Sequence, residues 1–447
     1  MARDQWQFDG YITSDCDADA NVFSTHHYTA TPEEAVADVL HAGTDVDCGG
    51  FVQTHGASAL AKGLITKDDI DTRLKYLFRM RIRLGHFDPP GPLQQIPKTA
   101  VCTEETIALA RDGTVQGSVM LKNADKTLPL TPKSKVAVIG PNANLSQAIG
   151  TYYGGSNPCP GQAGASQWYT AVDAIAEHAD VTSMLGVPSV TSSDLSQIPA
   201  AVAAAKAADE VVMVVGQDGS IEHEGHDRTS IELSDGQQAL VKAVSAAAKK
   251  PIVVLILTGG AVDVADMLAN DKVGAIIHCG QPSVTVSGAG DLVFGKAVPA
   301  GRMIQTIYPS SFADEVSIFD FGMRPGPGLW PAPNCSSDPE SSAGCPNATN
   351  PGRTHRFYTQ KPTLPFGFGL SFSTFSYSAR HPDQAPRARL RGPACADRRA
   401  FAAPQRSLAA RPPSRSTPCA RCSPPTPSAP SPRPRTPRCR WRSTWSR

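Results

Sequence analysis

Apolar residues along this chain follow two different rhythms. Between about residue 104 and residue 310 they come in unbroken runs: Val136-Ala137-Val138-Ile139-Gly140, Val211-Val212-Met213-Val214-Val215-Gly216, Ile252-Val253-Val254-Leu255-Ile256-Leu257 and Ala275-Ile276-Ile277. Alanine-rich stretches with helical spacing separate them, among them Ala200 to Ala208 and Gln237 to Ala248, and a long helix is expected ahead of them from Glu104 to Leu121. Fully apolar strands alternating with helices predict a parallel sheet covered on both faces. Residues 1–88 instead read strand, helix, strand, helix. Tyr11-Ile12 is a short β-prone run. Pro32-Glu33-Glu34 opens a helix with proline and acids in its first turn, Ala35, Val39, Leu40 and Ala42 supply its apolar stripe, and Gly43 ends it. Thr44-Asp45-Val46-Asp47-Cys48 follows as a second strand. Two helical stretches then meet at Gly63, the second opening on Thr66-Lys67-Asp68-Asp69. Two βα units cannot close a barrel or cover a parallel sheet, so further units are expected ahead of residue 1.

Punctuation divides the chain further. Pro89-Pro90-Gly91-Pro92 marks a linker over 89–103. Residues 311–378 read as loop, ending in Pro365-Phe366-Gly367-Phe368-Gly369-Leu370-Ser371-Phe372-Ser373-Thr374-Phe375, whose alternating aromatics suggest the entry to a β-sandwich.

Charge changes the picture at the far end. The whole chain has 447 residues and a formal charge of +1, but residues 379–447 hold 16 Arg against Asp383 and Asp397, leaving the first 378 residues strongly acidic. That tail contains no Val, Ile, Met, Tyr, Asn, Glu or Lys and 14 of the 39 prolines, so it cannot bury enough apolar surface to order itself. Its composition is that of GC-rich DNA translated in a shifted frame. The competing readings are a nucleic-acid-binding or proline-recognition segment, against which its few aromatics and lack of repeats count.

Eleven cysteines are present. Cys419-Ala-Arg-Cys422 has zinc-like spacing without a second pair. Cys335 and Cys345, close together in a Pro/Ser/Asn-rich loop, suggest a local disulfide, and Cys16 and Cys48 can meet if they follow neighbouring strands. Asn144, Asn334 and Asn347 stand in N-x-S/T triplets, which fits a secreted protein. Neither a signal peptide nor a membrane span is visible. No G-x-G-x-x-G follows the first strand and no P-loop occurs, so no nucleotide site is expected.

Two polar segments sit where strands end. Gly10-Tyr11-Ile12-Thr13-Ser14-Asp15-Cys16-Asp17-Ala18 delivers Asp15 from an apolar run. A Ser-Asp there commonly serves as a turn or N-cap, yet reactive groups of parallel α/β barrels occupy the carboxyl ends of strands. Asp15, Asp17 and Asp19 alternate like the start of a calcium loop, but its sixth and twelfth positions hold Ala20 and His26 instead of Gly and Glu, which rejects calcium. The second segment, Gln217-Asp218-Gly219-Ser220-Ile221-Glu222-His223-Glu224-Gly225-His226-Asp227-Arg228, follows the strand ending at Gly216, the usual ligand position in open α/β sheets. It is either a solvated loop or the source of a second carboxylate for glycoside hydrolysis.

Taken in order, Trp6-x-Phe8-x-Gly10-Tyr11-Ile12-x-Ser14-Asp15-Cys16-Asp17-Ala18, Leu121-Lys122-Asn123, Leu128-Pro129-Leu130, Val138-Ile139-Gly140-Pro141-Asn142-Ala143, Ile221-Glu222-x-Glu224-Gly225-x-Asp227-Arg228, Pro351-Gly352-Arg353-Thr354-His355-Arg356-Phe357-Tyr358 and Pro365-Phe366-Gly367-Phe368-Gly369-Leu370-Ser371 resemble glycoside hydrolase family 3. Cys16 after the aspartate and the Glu-x-Glu-Gly loop resemble its β-xylosidase branch; β-glucosidases of the family usually carry Trp after the aspartate.

The resemblance implies a retaining, exo-acting β-D-xylosidase that cleaves xylo-oligosaccharides without cofactor or metal, with no nucleic-acid or membrane partner. Asp15 matches the nucleophile and Glu222 the general acid/base, with Glu224 the second candidate because the loop aligns ambiguously by two residues. Asp227 and Arg228 are expected to form an ion pair that fixes the loop. Residues 1–88 would be the last units of a truncated (β/α)8 barrel, 104–310 the family's α/β sandwich domain, 311–378 the approach to an absent fibronectin-III-like domain, and 379–447 a disordered, out-of-frame tail. Six further βα units, with most sugar-binding residues, would precede residue 1, so the chain as written is expected to be inactive and its full-length parent extracellular. Val298-Pro299-Ala300-Gly301-Arg302 replaces the family's Asn-Pro-Gly-Gly turn, and the 325–350 insertion is longer than usual. A β-glucosidase of the same family and a catalytically dead carbohydrate-binding or scaffold protein are the alternatives.

Overall fold

The computed structural model describes residues 1–100, 102–144, 169–223, 226, 228–281, 286–333 and 347–374. The Arg/Pro tail, Cys335, Cys345, Asn334, Glu224 and Asp227 lie outside the described residues. Met1–Phe375 form one compact unit.

In the first segment, residues 12–14 and 45–48 run parallel. Thr13 bridges Val46, Ile12 O accepts from the amides of Asp45 and Val46, and the Ser14 amide donates to Val46 O at 2.9 Å. Helices α1 (Ala18–Ser24) and α2 (Pro32–Ala42) follow the first strand, and α3 (Phe51–Ala61) and α4 (Lys67–Arg83) the second. Local chemistry sets their ends. Thr31 and Glu34 close a capping box at the start of α2, Thr66 and Asp69 do the same for α4, and Gly43 ends α2 at a φ of 115°. Val36, Ala37, Leu40, Ala59 and Ile65 form a small core between α2 and the α3–α4 connection. Helix α1 was not legible in the sequence; its seven residues carry only a weak apolar pattern. Helix α4 buries none of its residues, and Trp6, Tyr28, Ile82 and Leu84 are exposed.

The second segment is a three-layer α/β arrangement around a six-stranded sheet. Its strands are β1 (Val119–Asn123), β2 (Lys135–Ile139), β3 (Asp180–Met184), β4 (Glu210–Gly216), β5 (Ile252–Leu257) and β6 (Val273–Gly280), in the order β1-β6-β5-β4-β2-β3. β2 to β6 are mutually parallel, whereas β1 is antiparallel to β6. The strands expected from the sequence are parallel as predicted, and the additional strand β1 makes the sheet a mixed one. The expected helix to Leu121 ends four residues earlier: α5 spans Glu104–Gly117, and Val119–Leu121, whose apolar run continues the helical stripe, pairs with β6 instead.

Alternation along the central strands explains why they are apolar throughout. Val211, Met213 and Val215 face one layer with Leu240 and Val244 of α8 (Asp235–Ala247) and Ala201 and Ala205 of α7 (Ile198–Ala207). Val212 and Val214 face the other, with Ile175 of α6 (Ala171–Ala176) and Leu292 of α10 (Ser287–Val293). β3 escaped the sequence reading because it is an edge strand with mostly exposed side chains and no apolar run.

Helix α9 (Ala265–Ala269) leads into β6, and Lys122 Nζ caps its carboxyl end by donating to the carbonyls of Leu268 and Asn270 at 2.8 and 2.9 Å. Residues 312–357, expected as loop, contain α11 (Phe312–Glu315), an antiparallel pair of β7 (Gly326–Pro331) and β8 (Asn347–Asn350), and α12 (Thr354–Phe357). The aromatic stretch after Pro365 does not form a strand within its described residues; isolated bridges join Leu364 to Ile307 and Leu370 to Met120 of β1, the second tying the chain to the sheet.

Candidate active site

Asp15 projects from the carboxyl end of the first parallel strand, and its side chain is exposed. Its Oδ1 accepts from the Cys16 amide at 2.7 Å, and its carbonyl accepts from Ala18 as α1 begins. The backbone on either side is pinned. Ser14 Oγ accepts from the Cys48 amide at 2.9 Å, the Asp17 amide donates to Cys48 O at 2.7 Å, and Cys16 and Cys48 form the expected disulfide. Beneath lies Asp45, whose side chain is wholly buried. It accepts from the Ile12 amide at 2.7 Å and pairs with Arg3 and Arg73, while the Arg3 guanidinium stacks on Tyr76. A buried carboxylate needs such pairing and hydrogen bonding to offset its desolvation. Asp19 is buried on α1 and has no partner for Oδ2; burial, aided by the charge of Asp47, pushes its pKa up to about 6.

The second loop is fixed at its root. The Gln237 side chain both accepts from the Gly216 amide and donates to its carbonyl, each at 2.9 Å. Gln217 is buried; its amide donates to Leu257 O at 2.9 Å, and its Oε1 accepts from Thr258 at 2.6 Å. Asp218 then turns the chain by accepting from the Ser220 amide and hydroxyl. Glu222 is half-buried and its Oε2 lies 2.6 Å from Arg228 Nε, while Arg228 also donates to Ala261 O at 2.6 Å. Gly260, after β5, forms the floor under this pair: a Cβ there would collide with the Arg228 guanidinium and stand 3.0 Å from Glu222 Oε1. The Arg228 partner expected from sequence was Asp227; the described partner is Glu222. Sequence reasoning also passed over Asp45 and Gly260, because each acts on residues far away in the chain.

The hydrogen bonds and ion pairs of Asp15 and Glu222 stay within their own loops among the described residues. Neither carboxylate lines the cavity of about 680 Å3 between α8 and α9 or that of about 450 Å3 beside β8. A further cluster, Glu177, His178 and Asp291, has metal-ligand spacing, but Arg111 already bridges its two carboxylates, at 2.7 Å to Glu177 and 2.6 Å to Asp291.

Comparisons with known proteins agree with this architecture. Residues 118–372 match the Glycosyl hydrolase family 3 C-terminal domain. Probable beta-D-xylosidase 7 of Arabidopsis thaliana is 39% identical over 383 residues, 84% of this chain and 46% of that protein. Beta-xylosidase/alpha-L-arabinofuranosidase 2 of Medicago sativa subsp. varia is 36% identical over 84% of this chain and 46% of that protein. The chain thus spans about half the length of the curated relatives it matches. Among solved structures, a GH3 exo-beta-xylosidase (XlnD) in complex with a xylobiose aziridine probe superposes with a TM-score of 0.71 at 34% identity, covering 83% of this chain and 45% of that one. A beta-glucosidase from Listeria innocua shares the fold at a TM-score of 0.64, with 22% identity over 84% of this chain and 48% of that one. The chain belongs to glycosyl hydrolase family 3.

Proposed function

We propose that the protein functions as a retaining, exo-acting β-D-xylosidase on xylo-oligosaccharides, with Asp15 as nucleophile and the acidic loop after β4 supplying the general acid/base. The observation that carries this reading is the exposed Asp15 carboxylate, held at a strand end by a disulfide through the residue beside it. In the first step the Asp15 carboxylate bonds to the anomeric carbon as the glycosidic C–O bond breaks, and a glutamic acid protonates the leaving oxygen. In the second, the same glutamate removes a proton from water, which displaces Asp15 with a second inversion. In this reading residues 1–88 are barrel units that bring the nucleophile, and the α/β domain brings the acid/base. No cofactor is required. Glu222 is the first candidate for that role; its close pairing with Arg228 supports a second reading, in which Glu222 anchors the loop and Glu224 transfers the proton. The disulfide and the exposed Asn144 and Asn347 of two glycosylation triplets support an extracellular setting.

The test is hydrolysis of aryl β-D-xyloside and β-D-glucoside by the purified chain, with the product anomer followed by NMR. Any turnover is expected to prefer the xyloside, to give a β-configured product and to be lost in Asp15→Asn. A preference for the glucoside, an inverted product, or an Asp15→Asn variant with undiminished rate overturns the proposal, whereas hydrolysis of neither glycoside agrees with the inactivity expected from the sequence. Glu222→Gln and Glu224→Gln separate the two readings: loss of acid catalysis costs about 10²–10⁴-fold, mainly on substrates with poor leaving groups.

A further inference from the structure

The strand pair β7–β8 has an inner and an outer face. Pro327 pairs with Thr349 and Pro331 with Asn347, and the register slips between these two pairs. Directly paired residues share a face, and successive side chains along a strand alternate between faces. Gly328 and Asn350 are buried, and the Asn350 side chain donates to Gly322 O at 2.7 Å, which marks the inner face. Pro327, Leu329, Asn347 and Thr349 are exposed and form the outer face, with half-buried Pro331 at its end. The Leu329 amide donates to Asp320 Oδ2 at 3.1 Å, which pins the slip in register, and the Leu329 side chain stands 70% exposed. Pro327, Leu329 and Pro331 thus make a short apolar strip across from Asn347 and Thr349.

The same face carries a second, independent signal. Asn347-Ala348-Thr349 is an N-x-S/T triplet without proline at its middle position. Because Asn347 and Thr349 are two residues apart on a strand, amide and hydroxyl point the same way, into solvent. Among the described residues neither side chain makes a hydrogen bond, so Asn347 Nδ2 can bear a substituent without losing a contact.

We propose that Asn347 is the acceptor of an N-linked oligosaccharide whose first N-acetylglucosamine lies over Pro327, Leu329 and Pro331. The donor is a lipid-pyrophosphate-linked oligosaccharide, delivered by a transferase of the secretory pathway. Nδ2 bonds to the anomeric carbon as that carbon's bond to the pyrophosphate oxygen breaks. The oxygen keeps the electron pair, and one Nδ2 proton passes to a base of the transferase. A pyranose has an apolar C–H face, which takes the exposed leucine and prolines out of water. So bulky and solvated a group also keeps the open edges of a two-stranded sheet from pairing with another chain. The inference rests on the extracellular setting proposed above and is independent of the catalytic assignments.

The full chain, secreted from yeast behind a leader peptide, provides the test. Glycans are released with peptide N-glycosidase in heavy-oxygen water, and the labelled residue is mapped by peptide mass spectrometry. Label at position 347 is expected, lost in Asn347→Gln and Thr349→Ala and kept in Thr349→Ser. Enzymatic removal of the glycan should lower the melting temperature of the folded chain by about 2–4 °C, the shift for partly uncovering one leucine. The same treatment should shift Leu329→Ser clearly less. An unlabelled Asn347 in chain recovered from the medium or from secretory membranes overturns the acceptor site. Equal shifts in wild type and Leu329→Ser overturn the packing on the strip. Label at Asn347 in yeast, with none on chain from its native cells, keeps the site and counts against the extracellular reading. Xyloside hydrolysis enters none of these readouts, so an inactive chain tests the proposal equally well.

Discussion

His278 provides the most calculable test of the α/β core. It lies on β6 between β1 and β5, paired in register with Val119 and Ile256, and its Nε2 is shut off from solvent without a hydrogen-bond partner. Burial pushes its pKa down from 6.5 to about 4, against a smaller opposing effect of a hydrogen bond with its own backbone. The folded state therefore holds this imidazole neutral, while the unfolded chain protonates it near pH 6.5. Its contribution to stability is fully present above pH 6.5 and is lost as the pH falls toward 4, below which both states are protonated. At 1.36 kcal/mol per pKa unit, the loss amounts to about 3 kcal/mol across that window. Asp19 acts in the opposite direction. Its folded pKa is raised from 3.8 to about 6, so its neutral form stabilises at low pH and that contribution disappears as the pH rises through the same range. The wild-type profile alone therefore mixes two slopes of opposite sign. The difference between wild type and His278→Leu isolates one of them. Urea unfolding followed by circular dichroism at pH 7.5, 6.5, 5.5 and 4.5 should show the wild type losing about 1.4 kcal/mol per pH unit relative to the variant below pH 6.5, with equal m-values. A difference that stays flat from pH 7.5 to 4.5 would refute the assignment of a buried, neutral imidazole.

Two further outcomes follow from the loops around the candidate site. Cys16→Ser or Cys48→Ser opens a cross-link between residues separated by 32 positions and should lower the stability of the first segment by about 3–4 kcal/mol, measured by urea unfolding under non-reducing conditions; a change below 1 kcal/mol contradicts the pairing. Gly260→Ala places a methyl group against the Arg228 guanidinium and 3.0 Å from Glu222 Oε1. Both contacts are with the ends of flexible side chains, so the melting temperature should hardly move. Xyloside turnover should fall about 10–100-fold as the pair shifts, and unchanged turnover would detach Gly260 from the site.

Much of the sheet was readable because burial on both faces leaves a strand few polar positions. β2, β4, β5 and β6 meet that condition and coincide with apolar runs in the sequence. β1 and β3 do not, for different reasons. β1 has an apolar start, but it directly follows α5 and prolongs the same stripe, so helix and strand share one pattern until Gly117 and Ser118 break it. β3 lies at the sheet edge, where half its pairing partners and most of its burial are absent, and its sequence is correspondingly polar. In the first segment the helix starts were legible for a stronger reason: Pro32-Glu33-Glu34 and Thr66-Lys67-Asp68-Asp69 are local first-turn signals, and the structure adds the Thr31–Glu34 capping box beside that of Thr66 and Asp69.

The candidate site divides along the same line between local and distant causes. Asp15 and its disulfide could be anticipated, since a strand end and a cysteine after a neighbouring strand are features of short segments. The state of Glu222 could not. Its carboxylate is oriented by Arg228, which is held by Ala261 O, and the pair rests where Gly260 leaves room. None of these residues declares the arrangement by type or spacing; it exists only because β4 and β5 are neighbours in the sheet and release their loops at the same edge. Sequence therefore singles out the acidic loop proposed to supply the proton, while the choice between Glu222 and Glu224 turns on packing. A glutamate already committed to an arginine can orient a loop, whereas a proton donor must be able to exchange its proton with the leaving oxygen and then with water. The loss of turnover in Glu222→Gln and Glu224→Gln decides which of these two tasks Glu222 performs.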